Sequence, residues 1–244
     1  VLIERLLPDG AFQAGIYAQA FRLFDAIAMI PVMFGGLLLP IMSKELAAGS
    51  DIRPLVSMAG AMLLAPLGVG AVILATFPGE LLDLLYTSPA SEATGAFTLL
   101  MMTLIPVGAI YIFSTILTAA GRMKLLGLIT LSGMVISIVL NLLLIPRLEV
   151  TGAACAAIIT QTLVAIACLM SVDVRLFRVV AIKRTLLYIM MLIVTYTAGL
   201  LLKMTGMTWV TAAALQLMTG IVFALVFRMI EPLKSLKLLA QRPE

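Results

Sequence analysis

Arg22 and Asp25 lie three residues apart in YAQAFRLFDAIAMIPVMFGG, residues 17–36, where almost everything else is apolar. On a helix this spacing sets both side chains on one face, within reach of each other. Gln19 and the small Ala18 and Ala26 share that face, while Leu23, Ile27 and Ile30 point elsewhere. A charged side chain in hydrocarbon costs at least about 2.5 kcal/mol, so such groups face protein or a water-filled cavity. Two chemistries are therefore open to the pair. It is a self-neutralising clasp that pins one helix to a neighbour, or it lines a path for something polar.

No other cluster competes with it. Glu80 and Asp83, at i and i+3 in PGELLDLLY, read as the solvated face of a short amphipathic segment lying at an interface. The chain has no histidine, no Asp-x-Asp pair and no glycine-rich phosphate loop. A membrane glycosyl or acyl transferase would cluster acid, base or metal-binding groups at one surface. We therefore expect no enzyme, no metal site and no cofactor. Cys155 and Cys168 fall inside apolar helix and read as small packing residues.

The surroundings of the pair follow from composition. Hydrophobic residues make up 63% of the chain and charged ones 11%, with a mean hydropathy of +1.19. Soluble domains sit nearer to about half apolar and about a quarter charged. The class is an all-α polytopic membrane helix bundle. The net charge of +4 is spread over short loops and the tail, which is no nucleic-acid footprint.

Seven stretches are long enough to cross the bilayer: 13–39, 56–77, 96–119, 125–145, 151–171, 185–203 and 208–230. Lys and Arg alternate between rich and poor in the segments that separate them. Lys44 and Arg53 follow the first span, and the next separator has neither residue. Arg122 and Lys124 come next, then Arg147 alone. Arg175, Arg178, Lys183 and Arg184 follow, then Lys203 alone, then a tail with Lys234, Lys237 and Arg242. Basic loops stay cytoplasmic, so the N-terminus is expected outside and the C-terminus inside. Arg122 and Lys124 then read as topological anchors. Thr130, Gly133, Ser137 and Asn141 form a small and polar stripe, matched by Ala153, Ala157, Thr160, Gln161 and Val164. Such faces let helices approach closely, and Asn141 and Gln161 are expected to act as interhelical glue. Pro31, Pro66 and Pro106 mark expected kinks.

Two blocks carry a resemblance. One is GIYAQAFRLFDAIAMIPVMFGGLLLPIMSKE, residues 15–45. The other is LTAAGRMKLLGLITLSGMVISIVLNLLLIPRLEVTGAACAAIITQTL, residues 117–163. Together they resemble the C-terminal half of bacterial polysaccharide exporters, the oligosaccharide flippases of the multidrug/oligosaccharidyl-lipid/polysaccharide superfamily. The first block carries the family's helix start at Gly15, Tyr17, Ala20 and Arg22, and its end at Pro40 and Ser43. The second carries a Gly-Arg turn at Gly121 and Arg122, then Asn141, Leu144, Ile145 and Pro146, then Gly152, Ala153 and Ala154. The likeness covers roughly residues 1–172, and the last two spans agree in number more than in motif.

The resemblance implies a definite organisation. Residues 1–7 would end a preceding transmembrane helix, and 8–172 would form the C-terminal lobe. A basic cytoplasmic loop at 173–184, a terminal helix pair at 185–230 and a cytoplasmic tail at 231–244 would follow. An N-terminal lobe of the same protein would supply the other wall of a hydrated cleft. An undecaprenyl-diphosphate-linked oligosaccharide would cross the bacterial inner membrane there, its tail remaining in membrane lipid, as one lobe rocks against the other. On that plan the planar fork of Arg22 offsets the diphosphate. Asp25 holds Arg22 while the site is empty, or exchanges a proton or sodium ion for coupling. Gln19 and Tyr17 are further residues of the substrate path. Multidrug extruders and lipid II flippases of the same superfamily are the alternatives within transport. A non-transporting scaffold is the bland one.

Overall fold

The structure, a computed structural model, describes residues 2–86, 93–172 and 174–227, with side chains outside 174–185. Every element among them is a helix. In order they are α1 (Leu2–Leu6), α2 (Gly10–Ala47), α3 (Arg53–Thr76), α4 (Pro78–Leu85), α5 (Thr94–Ala119), α6 (Met123–Ser171), α7 (Val174–Met204) and α8 (Trp209–Val226). Six of these are long and apolar enough to cross a membrane. The protein is an all-α polytopic membrane bundle.

The sixth helix accounts for the difference between six long helices and seven expected spans. At about 1.5 Å per residue, the 49 residues of α6 would make a rod of about 74 Å, more than twice the ~30 Å hydrocarbon core. The rod does not form. Glu149 breaks it with φ 51° and ψ −131°, and the second arm returns along the first. Arg122 Nη1, at the start of α6, donates to Ser171 O at its end, over 3.1 Å. Gly133 faces Val164, and Gly152 lies directly against the backbone of Leu144. The arms coincide with the expected spans 125–145 and 151–171, so the six long helices account for all seven expected stretches.

Local chemistry explains where the helices stop. Gly49 (φ 65°) and Gly121 (φ 72°) sit just past the ends of α2 and α5 in the left-handed region. At each, the next amide reaches back five residues, Ser50 N to Glu45 O and Arg122 N to Leu117 O. This is the Schellman closure, which satisfies carbonyls the helix end would otherwise leave open. The break between α3 and α4 is set differently. Phe77 leaves the helical region, and Pro78, which has no N–H to donate, starts α4. Pro31, Pro40, Pro66 and Pro106, by contrast, lie inside helices that continue past them.

The bundle is organised around α5. One apolar layer, near Phe77, joins Ile16 and Ala20 of α2, Ala71 and Ala75 of α3, Leu82 of α4, Phe97 and Leu104 of α5, and Ala154 of α6. A second layer, near Arg122, joins Leu38 and Met42, Val56 and Leu63, Ile112 and Ile116, Ile129 and Cys168. The terminal pair α7–α8 packs on α3 through Ala65, Val69, Met191 and Ala224. Cys168 is buried in the second layer and unbonded, as a packing residue.

One boundary differs from expectation. The segment 173–184, expected as a loop, is helical from Val174 onward, because it continues into α7. Apart from Asp173, which lies outside the described residues, it holds only Val, Leu, Phe, Ala, Ile, Arg and Lys, with no glycine or proline to stop a helix. The end of the last span, 228–230, and the tail 231–244 lie outside the described residues.

Candidate functional site

The polar pair of α2 stands on that helix's uncovered side. Ile16, Ala20, Pro31, Gly35, Leu38 and Met42 are buried and fall on one stripe at helical spacing. Arg22 and Asp25 are exposed, and at 100° per residue Arg22 points almost directly away from that stripe. Ala26, Met29, Met33 and Leu37 continue the exposed face toward the Arg122 end. Arg22 is twelve residues into α2, about 18 Å from its start. Among the described residues neither Arg22 nor Asp25 makes an ion pair or hydrogen bond.

That geometry separates the expected site residues. Arg22 and Asp25 share a face but are not clasped to each other, so Asp25 does not hold Arg22 here. Tyr17 turns inward and packs on the cluster of Ile3, Ile145 and Ala153, its ring stacked on Phe21 at 5.7 Å. Phe21, tilted against Phe24 at 5.5 Å, borders Arg22 and is exposed. Gln19 is half-buried, and its backbone carbonyl accepts a hydrogen bond from Tyr86 Oη at 3.1 Å.

The expected glue residues do something else. Asn141 Nδ2 donates to Ser137 O at 2.8 Å and Ser137 Oγ at 3.3 Å, both on its own helix arm. A local acceptor one turn back competes with any partner across the interface. Gln161 makes no hydrogen bond with a described residue. The arms of α6 close through small residues instead, as at Gly133 and Gly152.

The interhelical glue lies at a seam that the sequence did not flag. Gln216 of α8 is wholly buried. Its Nε2 donates to Thr76 Oγ1 of α3 at 3.0 Å and to Thr195 O of α7 at 3.1 Å. Thr76 Oγ1 in turn donates to Val72 O at 2.8 Å. The amide lies against Gly199, where any side chain would collide with it, and its Oε1 has no hydrogen-bond partner among the described residues. Above this, Lys203 Nζ pairs with Glu80 Oε1 at 3.1 Å and donates to Thr76 O at 3.4 Å, with the Phe77 ring centre 5.7 Å away. Glu80 is thus an ion-pair partner, whereas Asp83 is exposed as expected. A lone Gln within AAALQLMTG was the available signal, alongside a Thr just before a Phe-Pro break.

No group of three or more acidic, histidine or cysteine side chains that could hold a metal ion occurs among the described residues. No protein-family model and no curated protein matches the chain.

Proposed function

We propose that this chain is the C-terminal part of a flippase for lipid-linked oligosaccharide, working in the bacterial inner membrane. One observation carries the proposal. A guanidinium and a carboxylate stand unclasped, well inside α2, on the face that the described residues leave open. Left against lipid, each would cost about 2.5–3.5 kcal/mol on insertion scales. A face of this kind is matched to a polar cleft, which an N-terminal lobe would close from the other side. Arg22 then meets the diphosphate as cargo passes, and Asp25 is free to take a proton or sodium ion. Loop charge supports the matching orientation, with the Phe77 end periplasmic and the Arg122 end cytoplasmic.

The experiment uses the full-length gene in a host deficient in its surface polysaccharide. Arg22→Ala, Arg22→Lys and Asp25→Asn are compared for polysaccharide export and membrane abundance. Normal abundance, export reduced at least about tenfold in Arg22→Ala and partial rescue in Arg22→Lys are expected. Abundance falling in step with export would assign the pair a structural role. Export that survives Arg22→Ala but not Asp25→Asn would take Arg22 out of the substrate path and leave Asp25 as the coupling group.

A further inference from the structure

We infer that the terminal pair α7–α8 is latched to α3 near Phe77 and moves with the lobe as one body, rather than swinging as a separate gate. This inference stands on packing alone and uses the transport reading for one readout only. Two tiers of the latch are visible. The inner tier is Gln216, which ties three helices with one amide by donating to Thr76 of α3 and Thr195 of α7 from α8. The outer tier is Lys203, which crosses from the end of α7 to Glu80 of α4 and to the Thr76 carbonyl. The α3–α4 break is what makes that carbonyl accessible, because the helix does not run on to bring the Glu80 N–H to it. One threonine therefore joins both tiers, with its hydroxyl in the inner one and its carbonyl in the outer.

The remainder of the seam is shaped to hold the latch closed. Gly199 leaves room for the Gln216 amide, and Gly220 of α8 leaves room for Val69 of α3. Gly68 of α3 receives Leu192 of α7. A gate that slid along α3 would drag these side chains out of their seats. It would also strand the amide in an apolar seam, where an unmade hydrogen bond is costly.

Val69 and Gly220 supply the test. A Cβ built on Gly220 lies 3.5 Å from the Cβ of Val69, at the short end of the about 3.5–4.5 Å that a disulfide requires. The double variant V69C/G220C of the full-length protein is oxidised in membranes. The two single variants, retaining Cys155 and Cys168, report stray pairing. The expected result is a disulfide in most molecules, with export equal within twofold before and after reduction. A normally abundant double variant that forms no disulfide overturns the inference. So does a disulfide that lowers export at least tenfold and is reversed by reductant. Should the parent show no export at all, the transport reading fails, and the latch is decided by labelling. Thr195→Cys is expected to resist a membrane-permeant maleimide and to label at least tenfold faster once Gln216→Leu is added. Equal labelling in both overturns the latch. Where Gln216→Leu does not accumulate, Lys203→Met at the half-exposed rim replaces it under the same criterion, with at least a twofold rise expected.

Discussion

The outer face of α2 and the seam between α3, α7 and α8 both place polar side chains inside membrane-length helices, and they use them in opposite ways. At the seam, Gln216 is wholly buried and its two amide protons are both placed. On α2, Arg22 and Asp25 are exposed, near enough in sequence to pair, and do not. The seam also has a glycine seat cut for its polar group, at Gly199, whereas a Cβ on Gly15 or Gly36, within α2, would meet no described atom within 4 Å. Polar side chains of membrane-length helices are therefore of two kinds in one molecule: enclosed and bonded at the seam, exposed and unpaired among the described residues on α2. The seam ties α3, α7 and α8 together, whereas the α2 face is left exposed by the described residues.

The largest effect that separates the two regions is expected at Gly199. Gly199→Leu forces a side chain into the space of the Gln216 amide, and overpacking of this kind costs about 1–3 kcal/mol. The variant should show a clear fall in thermal unfolding temperature in detergent. Gly36→Leu, built where nothing lies within 4 Å, should leave it unchanged. Equal loss in both would erase the distinction between seam and face. Next comes polarity itself. Gln216→Leu removes two interhelical hydrogen bonds, worth about 0.6–2 kcal/mol in membrane bundles, and should lower unfolding temperature and abundance. The double variant Arg22→Leu/Asp25→Leu loses no partner and should keep or raise both. A bundle destabilised by the α2 double variant would mean that the pair is structural after all.

How much of this was legible beforehand depends on the kind of signal. Hydropathy located every long helix, including both arms of α6, because each arm alone is long and apolar. The break between the arms was visible as Pro146-Arg147-Leu148-Glu149, although its backbone conformation was not. The start of α7 is not legible from charge, because Arg and Lys mark loops between spans yet are also good helix formers. The pair on α2 was legible because two charges in an apolar helix stand out by type alone. Whether they are clasped was not, since i,i+3 spacing permits contact without requiring it. Asn141 and Gln216 show the same limit from the neutral side. Each is a lone amide in an apolar helix, yet one turns back on its own backbone and the other ties three helices. What decides is the neighbour: Ser137 one turn before Asn141, and the glycine opposite Gln216, which no local pattern reveals.

The smallest predicted effect sharpens the boundary between the latch and its rim. Lys203 and Glu80 keep 45% and 31% of their side-chain surface exposed, so solvent and salt screen their attraction, and such pairs contribute about 0–1 kcal/mol. Lys203 also caps the Thr76 carbonyl, but at 3.4 Å that bond is long. Lys203→Ala should therefore lower the unfolding temperature less than Gln216→Leu does, and the difference from the parent should shrink as salt is raised from low to about 0.5 M. A salt-independent loss as large as that of Gln216→Leu would move Lys203 from the rim of the latch into its core. The ammonium would then hold the α3–α4 break in place chiefly through the Thr76 carbonyl, and the ion pair with Glu80 would be incidental.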